Sequence, residues 1–270
     1  MDVIELLPHL HLLRFPVGQA YLWRDGDEST LIDAGPAGSA ASIAACLQGR
    51  LRRIVLTHFH EDHVGGAGEL AALTGAEVLA HQLDAPVVRG EVPGPPPVFE
   101  DWERPLHAEA LRHLPQGEFA RPSKVTELSD GELLGFGGGA RVVHVPGHTP
   151  GGVALHLPEH GVLFTGDAVA ASPVDGKVML GVFNVDRAQA QHSFEKLAEL
   201  GPDLACFGHG GPIMGPWSPP RVSAPTPTPP PPSPSLATTH SLTWWHPAHR
   251  QARASADGRA CWRWTVYGSS

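Results

Sequence analysis

Cysteine is scarce in this chain. Only Cys46, Cys206 and Cys261 occur among 270 residues, and their odd number and wide spacing exclude a disulfide framework. No run of about 18 apolar residues is present, so no membrane-spanning helix is expected. The start, Met1-Asp2-Val3-Ile4-Glu5, has neither a basic segment nor a long apolar one, which gives no sign of a secretory signal. The expectation is a cytoplasmic protein with no membrane partner. Positive charge is also short, with a formal net charge of -9. Five Arg and one Asp lie from Ser218 onward, leaving 14 Lys+Arg against 27 Asp+Glu before it. That balance argues against a nucleic-acid partner for the first part. Gly-x-Ser-x-Gly is absent, so nothing points to a serine nucleophile.

What is present suffices for a folded core. Hydrophobic residues make up 41%, while Gly 31 and Pro 28 imply many turns. Short apolar runs at 3–7, 9–15, 20–23 and 29–33 are split by Pro8, Pro16-Val17-Gly18 and Asp25-Gly26-Asp27, and read as a β-meander. Residues 38–49 read as a helix, 53–57 as a strand, 64–74 as a helix and 77–81 as a strand. Residues 82–122, with Pro93-Gly94-Pro95-Pro96-Pro97 and a weakly helical piece at 100–114, read as an insertion beside the site. Runs at 125–128, 131–136, 140–145, 153–157 and 162–165 form a second meander. A helix at 186–200, with Asp186 at its N-cap, and a strand at 204–207 follow. Cys206 belongs to that strand as a core residue. Strands, helix, strands, helix suggest two packed sheets with helices outside. From 216 to 270 the chain is rich in Pro and reads as a disordered tail, so the folded domain is expected over 1–215. A small aromatic module around Trp244, Trp245, Trp262 and Trp264, and a segment translated from a shifted reading frame, are the other readings of the tail.

The chemistry concentrates in Thr57-His58-Phe59-His60-Glu61-Asp62-His63-Val64-Gly65-Gly66. Three histidines and an aspartate within six residues after an apolar strand are what a zinc-class ion needs. His58 and His60 lie two apart at a strand end, where extended backbone points both to one side. Four donors on one strand-to-helix corner can serve two ions. Further donors stand at turns after strands: His148 in Pro146-Gly147-His148-Thr149-Pro150-Gly151-Gly152, Asp167 in Phe164-Thr165-Gly166-Asp167, and His209 in Phe207-Gly208-His209-Gly210-Gly211. Singly each is ordinary polar punctuation. Together with residues 58–63 they form a ligand set.

These strings, with Leu31-Ile32-Asp33-Ala34-Gly35, stand in an order that resembles the metallo-β-lactamase superfamily, in its hydrolase branch near glyoxalase II. The resemblance runs from about residue 3 to 215. It implies an α/β fold, a four-layer αββα sandwich with the site at one edge. It also implies two Zn2+ ions, with iron or manganese as alternatives. His58, His60 and His148 would hold one ion, Asp62, His63 and His209 the other, and Asp167 would bridge. Asp33 matches an aspartate that supports the loop. The implied activity is hydrolysis of a small-molecule ester, thioester or lactone by a hydroxide shared between the ions, with Asp62 also relaying a proton. Glyoxalase II carries a helical, basic substrate domain that the tail here does not resemble, which argues against a glutathione thioester. Residues 82–122 would shape the pocket instead, with Phe99, Trp102 and Leu106 as wall or anchor. A mononuclear iron persulfide dioxygenase and a non-catalytic metal-binding module are the alternatives.

Overall fold

Alternating side chains dictate the layers of this protein. A computed structural model describes residues 1–172, 174–215 and 217; apart from Trp217, the expected tail lies outside the described residues. The chain opens with an antiparallel meander, β1 (Asp2–Leu7), β2 (Leu10–Arg14), β3 (Gln19–Asp25) and β4 (Glu28–Ile32). After α1 (Ala40–Ala44), β5 (Arg50–Val55) lies parallel to β4. Helices α2 (Glu61–Val64) and α3 (Ala67–Thr74) lead to β6 (Glu77–His81). Helices α4 (Ala85–Val88) and α5 (Glu103–His113) then precede β7 (Thr126–Leu128). Among the described residues these strands make one seven-stranded sheet in the order β1 to β7.

The second sheet begins with β8 (Leu133–Leu134), β9 (Ala140–His144), β10 (Val153–Leu157) and β11 (Val162–Phe164). A separate hairpin follows, β12 (Val169–Ala171) with β13 (Val178–Leu180). Helix α6 (Arg187–Ala198) leads to β14 (Leu204–Cys206) and β15 (Ile213–Met214). Its N-cap is Asp186, whose side chain accepts from the Gln189 N–H at 2.9 Å. Among the described residues the order in this sheet is β15-β14-β11-β10-β9-β8, with β14 parallel to β11.

Both sheets are apolar on both faces, as a four-layer sandwich requires. On β3, Tyr21 and Trp23 join the core between the sheets, while Ala20 and Leu22 face α1 and α3 with Ile43 and Leu70. On β10 and β11, Leu155 and Phe164 enter the same central core, while Ala154 and Leu163 pack toward Phe194 and Leu197 of α6. The layers are therefore helix, sheet, sheet, helix, and the expected αββα sandwich is the observed one.

Several local expectations need correction. Residues 125–128 do not join the second meander; β7 pairs parallel to β6, because a three-residue strand carries no local sign of its partner. The expected helix over 38–49 is only Ala40–Ala44. The expected helix over 64–74 starts at Ala67 and is separated from α2 by Gly65 and Gly66. There the Gly66 N–H bonds the carbonyl of Gly35 at 3.2 Å instead of continuing the helical ladder. A Cβ on Gly65 would stand 2.3 Å from the Ala37 nitrogen, so this backbone crossing needs glycine. The hairpin of β12 and β13 and the two-residue β15 went unread because short strands lack a pattern.

Candidate metal centre

Every donor expected from the sequence lies in a segment that follows the C-terminal end of a strand. Residues 57–63 follow β5, His148 follows β9, Asp167 follows β11 and His209 follows β14. The fold brings all seven side chains together. His58, His60 and His148 form one group whose ligand atoms lie within 4.8 Å of one another. Asp62, His63 and His209 form another such group, and His58, His63 and Asp167 a third between them. Asp167 reaches both trios: one carboxylate oxygen lies 3.5 Å from His148 Nε2 and 3.3 Å from His209 Nε2, the other 3.4 Å from His63 Nε2.

Asp33 fixes which nitrogens point inward. It is buried just past the end of β4, with φ of 59°. Its carboxylate accepts from the Thr57 N–H at 2.7 Å and the Thr57 hydroxyl at 2.8 Å, and faces His63 Nδ1 at 2.9 Å. His63 Nδ1–H therefore donates to Asp33, leaving the Nε2 lone pair for the cluster. The Thr57 hydroxyl spends its proton on Asp33, so the 3.0 Å contact with His58 Nδ1 is a donation from the imidazole. His58 Nε2 is thereby left as an acceptor too.

The charge state suits cations. Burial holds His58 well below the ordinary imidazole range, lowers His148, and takes His60 to about 3. These three rings are neutral at pH 7, and His148 Nε2 and His60 Nδ1 share a hydrogen bond at 2.9 Å. Burial opposes charge on Asp62 and Asp167, but the neighbouring His63 and His209 outweigh it and hold both carboxyls well below the usual range. Conversely, burial works against charge on His209, yet Asp167 and Asp62 push it up to about 10. Burial opposes charge on His63 too, but Asp62, Asp167 and Asp33 raise it well above the ordinary range, which puts on Nε2 a proton that a bound cation would displace.

This donor set fits divalent metal. His58 Nε2, His63 Nε2 and Asp167 Oδ1 are buried with no hydrogen-bond partner, an expensive arrangement unless a cation receives them. Imidazole and carboxylate donors in trios suit zinc-class ions. Cys206, in contrast, is fully buried in β14, and burial raises its thiol pKa, so it is core.

The rim is partly open. His60 and His209 are only partly buried, whereas His58, His63 and His148 are buried. Gly94 packs against the ring of Phe59, where a Cβ would stand 2.5 Å away, and the Val98 N–H bonds the Asn184 carbonyl at 2.9 Å. Phe99, His107 and Phe183 cluster with ring centroids 4.7 to 6.0 Å apart. Phe99 thus anchors the segment to residues 181–185, Leu106 is half-buried, and Trp102 stays exposed.

Two supports escaped the sequence reading. Asp84, after β6, accepts from the Thr149 hydroxyl at 2.7 Å and the Gly151 N–H at 2.6 Å. Gln19 and Tyr21, at the start of β3, donate to the Phe207 carbonyl, each at 2.7 Å. The only local signals were a carboxylate just past a strand end and a polar residue inside an apolar strand. Gly208 is a third constraint: a Cβ there would stand 1.9 Å from Asp167 Oδ1. Gly208→Ala is therefore expected to push Asp167 aside and weaken metal binding by at least about tenfold, while the unfolding temperature moves little. Titration of the variant with Zn2+ alongside a melting curve checks this.

Comparison with known proteins agrees with the geometry. The family model for the metallo-beta-lactamase superfamily matches residues 13–209. A hydroxyacylglutathione hydrolase of Cereibacter sphaeroides is 31% identical over 185 residues, covering 67% of this chain but 57% of that relative. The probable metallo-hydrolase YflN of Bacillus subtilis is 31% identical, covering 68% of this chain and 76% of the relative. The crystal structure of TTHA1623 in a di-iron-bound form superposes with a TM-score of 0.57 at 28% identity, covering 75% of this chain and 92% of that one. By this match and these motifs, the chain belongs to the metallo-β-lactamase superfamily, in its glyoxalase II-like branch.

Proposed function

We propose that this protein is a metal-dependent hydrolase of small-molecule esters, thioesters or lactones, working with two zinc-class ions. The carrying observation is the convergence of two donor trios on the single carboxylate of Asp167. In this reading His58, His60 and His148 hold one ion, Asp62, His63 and His209 the other, and Asp167 both. Ions held there would supply Lewis acidity toward a carbonyl and a water of lowered pKa. Asp33 sets the tautomers that leave His58 and His63 as acceptors. Asp62 is assigned to metal holding and to accepting a proton; its charge, stabilised between His63 and His209, favours the first role. The partly exposed edges of His60 and His209 mark the side from which substrate arrives. Residues 82–122 are assigned to shaping that approach, and the folded domain to 1–215.

The relatives support hydrolysis more than they specify substrate. The chain spans 57% of the first hydroxyacylglutathione hydrolase, so glutathione thioesters enter as one candidate among several. A di-iron-bound neighbour keeps iron as an alternative metal. The test is a panel of esters, thioesters, lactones, phosphodiesters and β-lactams with the full chain. At least one of the first three is expected to be cleaved, with activity lost to a chelator and restored by Zn2+. Inertness across that panel, or oxygen uptake with one iron per chain, would sink the reading.

A further inference from the structure

The two trios stand on loops that glycine leaves conformationally free. His209 lies between Gly208 and Gly210-Gly211, and His148 between Gly147 and Thr149-Pro150-Gly151-Gly152. Such loops hold a ligand in place only where something outside them fixes the backbone. Two buried devices do so, and they touch different trios.

At one end is Asp84, which is 1% exposed. One of its oxygens accepts from the Thr149 hydroxyl at 2.7 Å and the other from the Gly151 N–H at 2.6 Å. The Phe59 backbone amide also favours the charge on this carboxylate. One side chain thus ties the residue between His58 and His60 to the loop that carries His148. At the other end are Gln19 and Tyr21, both 3% exposed. The Gln19 amide donates to the carbonyls of Phe207 at 2.7 Å and Gly210 at 2.8 Å, on either side of Gly208-His209. The Tyr21 hydroxyl donates to the same Phe207 carbonyl at 2.7 Å. The strand entry that bears them also abuts Asp62: a Cβ on Gly18 would stand 2.7 Å from the Asp62 carbonyl oxygen.

We propose that Asp84 and the Gln19–Tyr21 pair are positioning residues, each fixing the ligand loop of one ion, so that the two occupancies can be separated by substitution. The inference rests on the two-ion reading above. Asp33 and Asp167 serve both trios and cannot separate them; these two supports can. Loss of groups that orient metal ligands typically costs about 10–100-fold in affinity. Gln19→Glu keeps the shape of the side chain and removes its N–H donors. Asp84→Asn keeps the shape and replaces one acceptor oxygen by a donor.

The experiment titrates metal-free full-length protein with Co2+ alone, read by visible absorption, with melting temperatures recorded in parallel. Wild type is expected to show two steps. Gln19→Glu should weaken one step about 10–100-fold and leave the other. Asp84→Asn should do the reverse. In a His209→Ala background, where the three-histidine trio remains, Asp84→Asn should still weaken the surviving step and Gln19→Glu should not. If Gln19→Glu fails to fold, Tyr21→Phe, which removes one hydroxyl, carries the same expectation with a smaller loss. Two steps in wild type, with variants unchanged or weakened equally at both steps, would overturn this inference alone. A single step in wild type would overturn the two-ion reading and this inference with it.

Discussion

Asp167→Ala is expected to lose bound metal and at least about a thousandfold of activity. Among the described residues Asp167 is the donor outside both trios that reaches each of them, at 3.5 Å from His148, 3.3 Å from His209 and 3.4 Å from His63. Removing it leaves each proposed ion short of a ligand. It also leaves His63 and His209 without a carboxylate that offsets their charge. Metal-ion catalysis contributes several kcal/mol to a transition state, and about 4 kcal/mol corresponds to about a thousandfold in rate. Metal analysis and kcat/KM on the best substrate of the panel check both parts. A variant with wild-type metal content and rate would show that Asp167 is not shared.

Asp33→Ala is expected to destabilise the protein by about 3–5 kcal/mol, the range for breaking a buried charged partnership. Three donors lose their acceptor at once: the Thr57 N–H, the Thr57 hydroxyl and His63 Nδ1. Backbone at φ of 59° adds strain, since Asp tolerates the left-handed region better than Ala. Asp33→Asn separates stability from metal binding. It keeps the tolerated backbone and one acceptor for the Thr57 N–H, so it should fold. Its amide would face His63 with donors, driving the histidine proton to Nε2 and blocking the lone pair. Metal affinity should then fall about 10–100-fold. Urea unfolding and Zn2+ titration read the two effects; Asp33→Asn with wild-type affinity would remove Asp33 from the account.

How much of this was legible in the sequence depended on how local each signal was. The strands β2, β3, β10 and β11 showed themselves through apolar runs, because they are buried on both faces. The seven donors stood out because strand-end His and Asp in Gly-rich turns are unusual in combination. Which sheet residues 125–128 join was not legible, since pairing with β6 is a long-range choice. The break between α2 and α3 was hidden because the hydrogen bond of Gly66 goes to Gly35, thirty-one residues earlier in the chain. Asp84, Gln19 and Tyr21 were hidden for the same reason. Their partners, Thr149, Gly151, Phe207 and Gly210, lie far along the chain, and nothing nearby in sequence marks them.

The most direct measurement is the number of metal ions per chain. Purified full-length protein would be stripped with a chelator, reloaded with Zn2+, dialysed and assayed by elemental analysis, with hydrolysis followed on the same samples. The account predicts two ions per chain, and activity that returns as the sites fill. Full hydrolytic activity in the stripped protein, or full activity with one ion, would contradict it.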